Sequence, residues 1–195
     1  MPGLAKAHPI IAPTLLATVL IVLAMFSSHG VDAVPVPILQ GVPFYLYAVL
    51  ADDWVRNDVR YTLNRLRAAD GISKGEATQF VAFAQGGNTG DSLNTFTSIS
   101  LKALTGSHPW CVPTTTDTGL INGTLICETD VQPPNWLTIF KKLDTTYHGP
   151  LYAGDTIRLM NGYLNCGAPP WPTNSASLYC GNTGTDNWRD IHIEV

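Results

Sequence analysis

Charge is scarce in this sequence. Asp, Glu, Lys and Arg together make up 13% of its 195 residues, and the 11 basic side chains are scattered instead of gathered into a stripe. Nucleic acids and anionic membranes are held by clustered cations, so the pattern speaks against a nucleic-acid partner and against a basic membrane-docking surface. With 45% hydrophobic residues the chain also falls outside the disordered and collagen-like classes.

Motifs for metal and redox chemistry are missing as well. There is no H-E-x-x-H and no C-x-x-C, and beyond the N-terminal segment the only histidines are His108, His148 and His192. His148 reads as a turn residue and His192 as a strand residue. The Gly-rich stretch GGNTGDS at 86–92 has no Lys after its second Gly and leads into a strand, so it reads as a loop and not as a phosphate cradle. The paired acids Asp52 and Asp53 read as a solvated turn. The chain is therefore expected to be no enzyme and to need no metal and no cofactor.

The one long apolar run lies at the start. MPGLAKAH, PIIAPTLLATVLIVLAMF and SSHGVDA together have the layout of a secretory signal, with Val31 and Ala33 as the small residues of a cleavage site after Ala33. The alternative is an uncleaved anchor over 10–26, short for a bilayer core of about 30 Å. Only in that case is a membrane a partner. Residues 34–40 then read as a linker and 41–195 as a single domain. A domain of that size buries about 68–70% of its unfolded surface, so its core does not depend on crosslinks. The four cysteines, Cys111, Cys127, Cys166 and Cys180, all follow the leader. Together with a sequon at Asn122 they fit a secreted or lumenal protein.

Beyond residue 41 the chain is a succession of short alternating runs separated by Gly, Pro, Asn and Asp, the pattern of an all-β barrel or sandwich. Two stretches share one plan. GDSLNTFTSISLKALTGSHPWCVPTTTDTGLINGTLICETDVQPPNW (90–136) and GDTIRLMNGYLNCGAPPWPTNSASLYCGNTGTDNW (154–188) each open on Gly-Asp and a strand, place a Cys, insert a loop, and return through a second Cys to Asn-Trp. A weaker first copy starts at Gly41, which gives openings at Gly41, Gly90 and Gly154 and a β-trefoil of three four-strand units. In that scheme FYLYAV pairs with the terminal IHIEV. An immunoglobulin-like sandwich around Trp110 is the competing architecture. In the first unit Trp54, Val55, Val59, Leu63 and Leu66 fall at helical spacing, so residues 52–69 are read either as a hairpin or as a short helix.

The third copy resembles the repeat unit of MIR domains in its Gly-Asp, IRL strand, YL pair and returning Asn-Trp. It is also similar to ricin-B-type lectin units, in which a Cys pair bridges the hairpin. YLNC lacks the histidine usual in MIR units, and neither Trp136 nor Trp188 follows Gln at the ricin spacing. The resemblance thus implies a fold and not a site. Matched positions in successive units imply the bridges Cys111–Cys127 and Cys166–Cys180.

The function this implies is a secreted, non-catalytic module that binds a glycan or glycoprotein. Its candidate ligand-contacting residues are Trp171, held between prolines in CGAPPWPTNSASLYC, with Asp155, Asn187 and Trp110. Asp155 and Asp91, which follow Gly at strand openings, also have a default role as turn-closing side chains, and Trp136 and Trp188 are expected in the core. The alternative is a Kunitz-type protease inhibitor, whose reactive loop would need Arg65 or Arg67 at an exposed tip.

Overall fold

Alternation sets the local structure. In the run Thr156–Asn161, Ile157 and Leu159 are buried while Thr156, Arg158 and Met160 stay partly exposed, the period of a strand with one face on a core. The computed structural model describes residues 34–59, 64–68, 71–114, 123–134, 137–141, 146–162, 164–168, 177–181 and 190–195. Residues 1–33, with the leader expected there, lie outside them. Pro35–Val195 form one compact unit.

Among the described residues there are twelve strands: β1 Tyr45–Ala48, β2 Asp53–Asp58, β3 Arg65–Ala68, β4 Phe80–Ala84, β5 Thr97–Ala103, β6 Trp110–Pro113, β7 Leu125–Thr129, β8 Leu137–Lys141, β9 Thr156–Asn161, β10 Leu164–Gly167, β11 Tyr179–Cys180 and β12 Ile191–Glu194. The one helical element among them is a 3-10 turn at Lys74–Glu76, and no helix is long and apolar enough to cross a membrane. Nine strands close on themselves in the order β1, β2, β3, β7, β6, β5, β8, β9, β12, with β4 beside β5 and with β10 and β11 continuing from β9. The first and last strands pair as expected, with Tyr45 opposite Glu194 and Ala48 opposite Ile191. A bridge between Phe44 and Phe80 brings β4 back to the start of β1. Closure leaves few exposed sheet edges.

Three hydrogen bonds tie the entry points together. Ile38 N–H donates to Leu151 (2.8 Å), Leu151 N–H to Leu93 (2.8 Å), and Leu93 N–H to Ile38 (2.7 Å). Three residues after each comes a left-handed backbone: Gly41 at φ 72°, Phe96 at 60° and Gly154 at 86°. Their N–H groups donate in the same way to Ala82, Ile139 and Ile193, and at matching offsets Phe44, Ile99 and Ile157 enter the core. The residue that corresponds to Gly41 and Gly154 is therefore Phe96, not Gly90. The Gly-Asp spelling misleads because it belongs to turn chemistry: Asp91 accepts Asn88 N–H and Asp155 accepts Tyr152 N–H, each three residues back.

Two further expectations change. Residues 34–40 are more than a linker, since Ile38 is a core residue, Leu39 bridges Ser92, and the buried Gln40 side chain accepts Ala84 N–H at 2.9 Å. Where a helix was one reading, β2 and β3 form an antiparallel hairpin, with Val55 opposite Ala68 and Asn57 opposite Leu66. Val55 and Asn57 are buried while Trp54 and Arg56 are less so. The helical spacing was incidental to a strand that needs its inner face covered.

The disulfides join Cys111 to Cys127 and Cys166 to Cys180, each across a strand pair with Cα atoms 3.8 Å apart. At the corresponding places in β2 and β3 stand Val55 and Ala68. Replacing Cys166 by Val and Cys180 by Ala is therefore expected to lower the unfolding free energy by about 3 kcal/mol, the loop-closure figure for about 15 residues. The β spectrum in far-ultraviolet circular dichroism should survive. Its loss would mean that the bridge is required for the fold itself.

Candidate functional site

The barrel turns one residue in two outward, and among these outward residues the aromatics gather in two places. Trp54 opens β2 opposite Tyr47, and Trp110 opens β6 opposite Lys102. Each immediately precedes a buried residue, Val55 or Cys111, so the two tryptophans hold corresponding outward positions. Trp54 meets Tyr47 edge-on at 5.1 Å and Tyr45 at 6.2 Å, and Tyr47 stacks on His192 at 6.2 Å. The Lys74 ammonium stands 5.1 Å from the Tyr45 ring and 5.6 Å from that of Trp54, while donating to the Val195 carbonyl oxygen. Trp110 packs on Phe83 at 5.8 Å, with the Lys102 ammonium 5.5 Å from its ring. A cation over an indole contributes about 0.5–1 kcal/mol at an exposed site.

Next to the Trp110 platform lies a cleft of about 660 Å³, bounded by Phe83 itself, Gln85, Gly87, Ser98, Gln132 and Pro133. Its walls are held from behind. Ser100 Oγ donates to the Pro133 carbonyl at 2.8 Å, and a Cβ at Gly87 would stand 2.3 Å from Gln40 Oε1, so only glycine lets that turn close over the buried amide. An aromatic wall beside amides, a hydroxyl and backbone carbonyls can stack on an apolar ring face while hydrogen-bonding its rim.

Of the residues read from the sequence as ligand contacts, Trp110 reaches this cleft through Phe83. Asp155 does not offer a vacant carboxylate: it accepts Tyr152 N–H and pairs with Lys141 Nζ at 2.6 Å. Trp171 and Asn187, the sequon at Asn122, and Trp136 and Trp188 lie outside the described residues. Arg65 and Arg67 are strand residues of β3, and Arg67 is buried with its guanidinium 2.9 Å from Asp58. Neither is presented at a loop tip, which removes the residues that an inhibitor loop needed. Asp53 is no solvated turn. It is buried, and its carboxylate accepts Trp54, Gly71 and Ile72 N–H groups at 2.8–3.0 Å, tying the segment after β3 to the start of β2. His148 lies against Phe96 in a loop and His192 on β12, as expected, while His108 pairs with Asp130 at the surface.

The sequence reading passed over Tyr45, Tyr47, Trp54 and Phe83. The signal was the alternation of FYLYAV, which turns both tyrosines outward, but only the cross-strand register brings Trp54 to them. It also passed over GISKG, residues 71–75, which spells G-x-S-x-G. Ser73 there caps the 3-10 turn and its hydroxyl donates to Glu76 at 2.8 Å. A nucleophile elbow requires a strand-to-helix turn and a histidine base, and this setting provides neither. Among the described residues no three His, Cys, Asp or Glu side chains gather as a metal site would require.

Residues 13–192 match the family described as Domain of unknown function (DUF5888). Among curated proteins no sequence matches this one. In shape the chain is similar to the crystal structure of the SDF2-like protein from Arabidopsis thaliana, with a TM-score of 0.61 and 13% identity over 81% of this chain and 94% of that one. It is also similar to the lysenin pore, with a TM-score of 0.54 and 16% identity over 83% of this chain and 48% of the other. An HCR/D mutant gives a TM-score of 0.58 and 9% identity over 81% of this chain and 42% of the other. The chain thus spans about half the length of lysenin. At such identities the likeness shows a β-trefoil-like fold and nothing of a ligand.

The Tyr47 phenol donates to the Asp52 carboxylate. That bond first, and burial second, push its pKa from 10.0 up to about 12. Because the folded value is the higher, the stability this provides is present below about pH 10 and lost as pH rises through about 12. An alkaline absorbance titration should show one tyrosine ionising late, and Asp52→Asn should return it toward 10. A late tyrosine that persists in that variant would contradict the assignment.

Proposed function

The chain belongs to the DUF5888 family, whose description assigns no activity, and we propose that it is a secreted, non-catalytic module that binds a carbohydrate or the glycan of a glycoprotein. The observation that carries this reading is the partly exposed Trp110, stacked on Phe83 at the edge of a cleft rimmed by Gln85, Ser98 and Gln132. Saccharides offer an apolar ring face together with a belt of hydroxyls, and this wall and rim are complementary to both. We further read the twelve strands as three four-strand units, β1–β4, β5–β8 and β9–β12. The cyclic bonds among Ile38, Leu93 and Leu151 support that reading. The two buried disulfides fit an oxidising compartment, in keeping with secretion.

A second reading is favoured by one observation, the Lys74 ammonium already seated over Tyr45 and Trp54. A surface that holds one cation against aromatic faces suits the quaternary ammonium of a choline headgroup, and lysenin has been crystallised with phosphocholine.

A glycan array probed with the wild-type protein and with Trp110→Ala tests the first reading. The variant is expected to lose about 2 kcal/mol or more of binding free energy, roughly thirtyfold in affinity, with only a small change in melting temperature. Wild-type protein that retains no glycan, but sediments with phosphatidylcholine vesicles in a manner lost in Trp54→Ala, would replace this reading with the second. Trp171→Ala on the same array decides whether the loop between Cys166 and Cys180 takes part.

A further inference from the structure

A second cleft, of about 550 Å³, opens between β2, Asn64, the 3-10 turn and the Thr105–Ser107 loop. At its wall is Asn57, only 6% exposed. Three of its polar groups have defined places. Its backbone N–H donates to Thr78 Oγ1 (2.8 Å) and its side-chain Nδ2 to the Thr105 carbonyl (2.8 Å), which fixes the amide's orientation and makes Oδ1 the remaining acceptor. Oδ1 has no hydrogen-bond partner. Folding avoids an isolated buried acceptor unless something else answers it. Gly106, at φ 95°, allows this closeness, because a Cβ there would stand 2.9 Å from Asn57 Nδ2.

The rest of the cleft narrows the ligand chemistry. Thr78 Oγ1 and Thr105 Oγ1 lie 3.0 Å apart, one donating to the other. The Arg56 guanidinium is 3.7 Å from the Asp58 carboxylate, so its charge is partly answered. Glu76 accepts Ser73 N–H and Ser73 Oγ at 2.9 and 2.8 Å, and the Ser73 N–H is the main cause of its lowered pKa, so it stays ionised. An anion would meet Glu76, and a metal ion would find a single carboxylate already engaged. A neutral group that can donate to Asn57 Oδ1 and also accept from neighbouring donors meets neither obstacle, and adjacent hydroxyls do both.

We propose that this cleft is a second ligand site, separate from the Trp110 platform, which takes the vicinal hydroxyls of a saccharide with one hydroxyl donating to Asn57 Oδ1. It rests on the carbohydrate reading only for the identity of the ligand, since its geometry is independent of Trp110.

The test is a nuclear magnetic resonance titration of the folded protein with mannose, galactose and N-acetylglucosamine, following the Asn57 side-chain amide and the Trp110 indole N–H. At least one sugar should shift the Asn57 amide saturably. Ser107→Trp, which closes the mouth from an exposed position, should abolish that shift and leave any indole response unchanged. Ser107→Phe serves as a second block. If the indole responds to sugars and Asn57 to none, the inference fails while the first site stands, and water alone satisfies the carbonyl. If Asn57 responds and the indole does not, the inference stands and the Trp110 site falls. If neither responds, both fall. A shift that survives both blocking substitutions also overturns the inference, because it reaches Asn57 from elsewhere.

Discussion

Ile38, Leu93 and Leu151 each give a backbone N–H to the next and accept from the previous one. A β-sheet can close only if its strands arrive at a common angle and height, and this small ring sets both for the three strands that follow, β1, β5 and β9. The left-handed turn after each ring position is what redirects the chain into the barrel. Two of those turns use glycine. The third uses Phe96 at φ 60°, a conformation that costs a residue with a Cβ about 1–2 kcal/mol. That strain is tolerated where its N–H bonds Ile139 at 2.7 Å, its ring lies against His148, and the closure of the whole barrel holds the backbone in place.

Once the inner face is fixed in this way, the outer face is free to differ from strand to strand. Val55 and Ala68 fill with methyl groups what the later pairs fill with disulfide sulfur, so the crosslinks are one of two solutions to the same packing problem. Trp54 and Trp110 occupy one outward position, while at the corresponding place in β10 stands Asn165. Variation of this kind on a shared frame is how a repeat protein acquires faces of different chemistry without altering its core.

The strands and their closure were legible in the sequence because alternation is a direct consequence of burying one face, as Ile157 and Leu159 show. The cysteine pairs followed from matching positions. The register of the second unit was not legible, since Gly-Asp at 90 and at 154 marks a kind of turn and the true counterpart, Phe96, is the residue type least expected at a positive φ. The hairpin at β2 and β3 competed with a helix because Trp54, Val55 and Val59 satisfy both periods. Only the cross-strand partner Ala68 decides between them. The buried roles of Asp53 and Arg67 were hidden for a related reason: charge in a sequence suggests solvent until a partner is known, and their partners, the Gly71 and Ile72 N–H groups and the Asp58 carboxylate, come from other positions in the fold.

The two tryptophan platforms differ in what already occupies them. Lys74 lies across Tyr45 and Trp54 and is tethered to the Val195 carbonyl, so a neutral ligand would have to displace a cation held by two rings and a hydrogen bond. At Trp110 the lysine comes from the opposite strand residue, and the other flank of the platform is Phe83, which opens directly onto a cleft. A saccharide that approaches from that flank meets an aromatic edge and hydrogen-bonding groups before it meets a charge. The same indole position thus favours a cation in the first unit and leaves room for a neutral ring in the second. That difference in neighbours, and not the presence of tryptophan alone, is what assigns the carbohydrate site to Trp110.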